Sequence, residues 1–132
     1  MKILLMVLLF LFQEQPAKID PSGIWESSTG TQFELKLSES DLHVKLVPDS
    51  NPQFVEYELG LKKTAKVNEY EGNGYFVAKV SETKTCKFDT HWYLTVVAPE
   101  AILGLSLSIL PDPETCAVKS SQEGLLQLMK KE

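Results

Sequence analysis

From Trp25 onward the chain alternates apolar and polar residues between short turn-like stretches. "TQFELKL" sets Phe33, Leu35 and Leu37 on one face and Gln32, Glu34 and Lys36 on the other. "DLHVKLV" sets Leu42, Val44 and Leu46 against His43 and Lys45, and "QFVEYEL" sets Val55, Tyr57 and Leu59 against Glu56 and Glu58. Period two is the pleat of a strand with one buried face, so each run predicts a half-buried strand. The polar "SESD" predicts a hairpin between the first two runs, and "PDSNP" a longer turn before the third. Asn73-Gly74 predicts a two-residue hairpin, because both central positions of that turn need positive φ. Phe76, Ala78 and Val80 would then line the inner face of its second arm. "SETKTC" is expected as a polar loop.

"THWYLTVVA" is apolar on both faces, with Trp92, Leu94 and Val96 on one and Tyr93 and Val97 on the other, as a central strand would be. In "AILGLSLSIL", Leu103, Leu105, Leu107 and Ile109 alternate with Gly104, Ser106 and Ser108. The tail is ambiguous. Leu125, Leu128 and Met129 fit a helical face, whereas Leu126, Leu128 and Lys130 fit a strand, and the preference is for a short closing strand. The expected fold is all-β: one antiparallel meander of eight or nine strands. Such a sheet, apolar on one side, curls into a small barrel or a strongly curled sheet, since closure removes edges and gives the apolar side a core.

The start of the chain reads differently. Lys2 is followed by an unbroken apolar run from Ile3 to Phe12. Ten residues at about 1.5 Å each reach only about half of a bilayer core. A secretory signal over 1–17 is the expectation, followed by a linker at 18–22 and a barrel domain at 23–130. That places the protein in a secreted or periplasmic setting, with no membrane span in the mature chain. The strands also carry charges at short spacing on their outer faces, unlike a membrane barrel. Cys86 and Cys116 are the only two cysteines. In an oxidising compartment they are expected to form a disulfide worth roughly 3.5 kcal/mol in the chain-entropy model. They lack the Cys-x-x-Cys spacing of a redox pair.

Charge removes two partner classes. The net charge is −5, and all 13 basic residues are lysine. An acidic chain without arginine has no electrostatic footprint for nucleic acid and no polybasic patch for anionic membranes.

The Gly23-x-Trp25 entry, the meander and the single disulfide together resemble the lipocalin or calycin class of small secreted β-barrels. The resemblance implies a tryptophan packed across the closed end and an open end that holds an apolar ligand. It also implies a cation from the last strand on that tryptophan, here Lys119, Lys130 or Lys131 in place of arginine. The side chains expected to line a ligand cavity are Trp25, Phe33, Leu35, Val44, Leu46, Phe76 and Val96.

Catalytic signatures are weak. Asp41 with His43, and Asp89 with His91, share strand faces, and Ser38, Ser40 or Thr90 would be the nearby nucleophiles. No Gly-x-Ser-x-Gly elbow accompanies them. The two histidines lie far apart, without metal-ligand spacing, so no metal or cofactor is expected. Glu56, Glu58, Glu69 and Glu71 alternate as on an ordinary wet face. The first expectation is therefore a monomeric, non-catalytic module that carries a small apolar ligand. The second is a protein-interaction or inhibitor module using Pro48–Pro52 or Thr83–Asp89. The third is a hydrolase around His43 or His91. An internal void of at least about 300 Å³ separates the first from the second.

Overall fold

The structure is a computed structural model and describes residues 17–131. The expected leader therefore lies outside the described residues, apart from Ala17. Eight strands follow in order: β1 (Gly23–Ser27), β2 (Gln32–Ser38), β3 (Asp41–Leu46), β4 (Phe54–Lys63), β5 (Glu69–Lys79), β6 (Thr85–Ala98), β7 (Ala101–Pro111) and β8 (Val118–Lys130). Each pairs antiparallel with the next, and β8 returns to β1, so the meander closes into a barrel. The described residues contain no helix, and so none long and apolar enough to cross a membrane. The ambiguous tail belongs to β8, a strand of 13 residues.

The period-two pattern builds the core. Trp25, Leu35, Leu42, Val44, Leu59, Leu61, Trp92, Leu94, Ile102 and Leu128 are all buried on the inner side. One end of the barrel is closed by the segment Ala17–Ser22, which the sequence suggests as a linker. Trp25 Nε1 donates to the Pro21 carbonyl at 2.8 Å, and Pro21 is fully buried. Asn68, at positive φ in the β4–β5 turn, clamps the same segment: its Nδ2 donates to Ala17 O at 2.9 Å, and its Oδ1 accepts from Ile19 N at 2.8 Å. Lys130 is the last-strand cation beside the tryptophan. It is the register partner of Trp25, and its ammonium lies 5.9 Å from the ring centroid.

Four local expectations are corrected. Asn73-Gly74 is not a turn; β5 runs straight through it, and the β4–β5 turn lies at residues 64–68. A Cβ on Gly72 would sit 2.3 Å from Gly60 O, and one on Gly74 only 2.0 Å from Glu58 O. The glycines are there because β5 crowds against the β4 backbone as the sheet curls, which is the use of glycine at barrel corners. Val55 points outward and is exposed. A bulge between Phe54 and Glu56 slips the pattern by one, so that Phe54 packs inward instead. Thr85–Asp89 is not loop but the first part of β6, which leaves residues 80–84 as the β5–β6 connection.

The fourth concerns β7. Leucines alternating with Gly and Ser would normally turn inward, yet Leu103 and Leu105 are exposed. The register places Ile102 opposite Val96, Gly104 opposite Leu94 and Ser106 opposite Trp92. The bulky inner side chains of β6 already occupy that space. A bulge between Val96 and Ala98 shifts the register by one residue, so that Ile102 turns inward and Leu103 and Leu105 outward, while Ile109 further along packs against the core.

Closure is incomplete on one side. The β6–β7 ladder stops at Trp92 and Ser106, and β1 reaches only Leu128–Lys130 of β8. Beyond those points the β7–β8 hairpin continues as a two-stranded ribbon. Its tip is fastened to the barrel by the Cys86–Cys116 disulfide, with a Cα–Cα distance of 5.5 Å. Lys84 Nζ donates to Glu114 O beside it, and Thr90 Oγ1 donates to Leu107 O at 3.1 Å.

Candidate functional site

The end opposite Trp25 is open. The β1–β2 turn, the β3–β4 loop, the end of β5 and the β7–β8 ribbon surround a cavity of about 700 Å³. Its floor is aromatic: Phe33, Phe54, Tyr57, Phe76, Phe88 and Trp92. These rings hold one another mostly edge to face, Phe33 with Tyr57 at 5.3 Å and with Trp92 at 5.1 Å, while Tyr57 and Phe76 stack at 5.1 Å. Such contacts fix ring positions beyond what burial alone does. The rim is polar, with Ser27, Thr29, Thr31, Asn51, Gln53 and Ser108, and Lys79 is its one charged group.

Strand alternation places this floor. Tyr57 and Phe76 are register partners across β4 and β5, and Phe76 and Phe88 across β5 and β6. Trp92 Nε1 donates to the Tyr57 hydroxyl at 3.1 Å, so the two polar tips satisfy each other inside an apolar wall. Burial raises the Tyr57 pKa, which keeps the phenol neutral and able to donate. Asn51 Nδ2 donates to Thr31 Oγ1 at 2.8 Å, and Ser50 Oγ accepts from Gln32 N at 3.1 Å, tying the β3–β4 loop to the end of the β1–β2 turn.

Of the side chains expected to line a cavity, Phe33 and Phe76 do so. All seven belong to the buried core, and Trp25, Leu35, Val44, Leu46 and Val96 do not border the cavity. The sequence pattern did not single out Phe54 and Phe88 for the cavity. Tyr57 and Trp92 were legible as inward-facing aromatics, whereas Phe54 was hidden by its bulge.

The histidines sit on the outer surface and pair across strands. His43 Nε2 lies 3.1 Å from Glu58 Oε1, while Asp41 pairs instead with Lys62 at 3.0 Å. His91 is gripped between Asn73 Oδ1 at 2.6 Å and Glu71 Oε2 at 2.9 Å, with Asp89 not among its partners. Neither ring is hydrogen-bonded to a hydroxyl, and Thr90 is buried with its oxygen on Leu107. The four alternating glutamates are likewise capped: Tyr75 donates to Glu56 at 2.6 Å and to Glu58 at 3.3 Å, and Tyr93 donates to Glu69. Among the described residues no three His, Cys, Asp or Glu side chains gather as a metal site would require.

All four tyrosines have raised pKa values. The Glu56 hydrogen bond pushes Tyr75 up to about 12, the Glu69 hydrogen bond raises Tyr93, and burial raises Tyr57 and Tyr70. A phenol whose pKa is raised on folding stabilises the fold below its unfolded value of about 10, and that stability is lost as pH climbs past it. An ultraviolet titration should therefore show tyrosinate forming at higher pH in native protein than in urea-unfolded protein, with Tyr75 furthest displaced. One tyrosine ionising near its ordinary value with the fold intact would contradict these contacts.

No family model, curated protein or solved structure matches the chain.

Proposed function

We propose that this protein is a non-catalytic, exported binding module that carries one small, neutral, largely apolar ligand in the mouth of its barrel. The observation that supports this most is the cavity of about 700 Å³ with six aromatic side chains in its floor. A filled interior would instead have favoured an interaction module. Binding pockets are concave, mostly apolar and edged by a few polar groups that orient the ligand. The aromatic floor holds no charged side chain, which argues against a charge carried into it, since a buried charge without a partner is costly. The eight-stranded barrel, Trp25 at the closed end and Lys130 beside it are compatible with a lipocalin-like carrier. The disulfide suits an oxidising compartment, as secretion or a periplasmic location would supply.

The test is a titration with N-phenyl-1-naphthylamine, a neutral apolar fluorophore. The expected result is saturable one-to-one binding at about 10 μM or tighter, with energy transfer from Trp92. Ala78→Trp, which places an indole in the cavity, should weaken it at least tenfold while circular dichroism stays unchanged. Absence of saturable uptake by folded protein would overturn the reading.

A further inference from the structure

The β7 inversion leaves a cluster of apolar side chains on the outside of the barrel. Leu125 is 70% exposed, Met129 57%, Leu103 42% and Leu105 40%. They form one patch, because Leu105 is the register partner of both Tyr93 and Leu125, and Ala101 that of Met129. The outer face of β2 to β5 differs: Lys36, His43, Lys45, Glu58 and Tyr75 keep it polar. An apolar patch rimmed by polar groups marks an interaction surface.

We propose that a second copy of this chain packs on the outer face of β7 and β8. The outward positions of β8 read Glu123, Leu125, Gln127, Met129 and then Lys131, so an acid and a base bracket the apolar pair. Lys131 is held on this outer side by Glu26, 3.6 Å away. A copy laid antiparallel about a two-fold axis through Gln127 sets Leu125 over Met129 and Glu123 over Lys131, each contact occurring twice. That is the self-complementarity an isologous interface requires. A parallel arrangement would set Glu123 on Glu123 and Lys131 on Lys131, which like-charge repulsion disfavours. A lipid surface fits less well, since Glu71 and Glu123 border the patch beside Leu107 and Lys131 at its other end is paired with Glu26.

Sedimentation velocity across a concentration series tests this. The expected result is a concentration-dependent dimer. Leu125→Glu should weaken association at least tenfold, and Glu123→Lys should weaken it less. Glu123→Lys combined with Lys131→Glu should recover it, and circular dichroism should be unchanged because all these positions are exposed; since Leu125 also edges the cavity, the charge-swap pair, which lies outside it, carries the test independently of ligand uptake. A monomer at every concentration would overturn the proposal, as would a dimer indifferent to Leu125→Glu. Monomeric protein that co-sediments with phosphatidylcholine vesicles, and loses this with Leu125→Glu, would assign the patch to lipid instead.

Discussion

Replacing Gly74 with alanine is expected to destabilise the barrel by about 3 kcal/mol or more, the upper range for forcing atoms into a packed interior. The added carbon would lie 2.0 Å from the Glu58 carbonyl oxygen and 2.6 Å from Leu59 Cα. Both are backbone atoms of a paired strand, so no side chain can swing aside to make room. Gly72→Ala meets the same obstacle at Gly60 O and Leu61 Cα, and the double variant should not fold. Domains of this kind have only about 5–15 kcal/mol to lose. Gly60→Ala is the control. It sits in the same pair of strands with nothing within 4 Å of its added carbon, so it should change stability by no more than about 1 kcal/mol. Urea unfolding of the three single variants checks this. If Gly74→Ala and Gly60→Ala proved equally mild, the tight β4–β5 approach would be wrong.

Removing the disulfide, by Cys86→Ser with Cys116→Ser, should cost roughly 3.5 kcal/mol and about 10–20 °C in melting temperature. The bridge spans 30 residues of sequence and fastens a ribbon with little other support. Beyond Ser106 the β7 strand has no β6 partner, and before Leu128 the β8 strand has no β1 partner among the described residues. The loss should therefore be felt locally as well as globally. Hydrogen exchange should accelerate in residues 107–127 well before it does in β2 to β5. Because the ribbon also walls the cavity through Ser108, Ile109 and Pro111, probe binding should weaken in the same variant. Uniform acceleration across the barrel, or no change in melting, would show that the hairpin is held by something else.

The fold was legible because nearly every strand obeys the pleat. Phe33 and Leu35, Leu42 and Val44, and Trp92, Leu94 and Val96 all turn the way their spacing predicts. The failures share a cause: a bulge or a steric crowd decides the register where the pattern is silent. At Val55 and at β7, one extra residue in a ladder exchanges the two faces, and no local composition announces it. At Asn73-Gly74, a dipeptide with a strong turn preference serves instead as the place where two backbones nearly touch. The cavity was less legible than the core. Seven inward side chains were equally good candidates from the pattern, but which end stays open depends on loops. Ala17–Ser22 closes one end with Pro21 under Trp25, and nothing equivalent among the described residues fills the other. Phe33 and Phe76 happen to lie at the open end, and Trp25 at the closed one.

The central claim is that the aromatic mouth is occupied by a neutral apolar molecule in the protein's own setting. Native mass spectrometry of the protein purified from its host addresses it most directly. The account predicts one added mass below about 700 Å³ in molecular volume, retained under gentle conditions, lost on denaturation and displaced by N-phenyl-1-naphthylamine. Bare polypeptide mass, together with no saturable uptake of that probe, would contradict it.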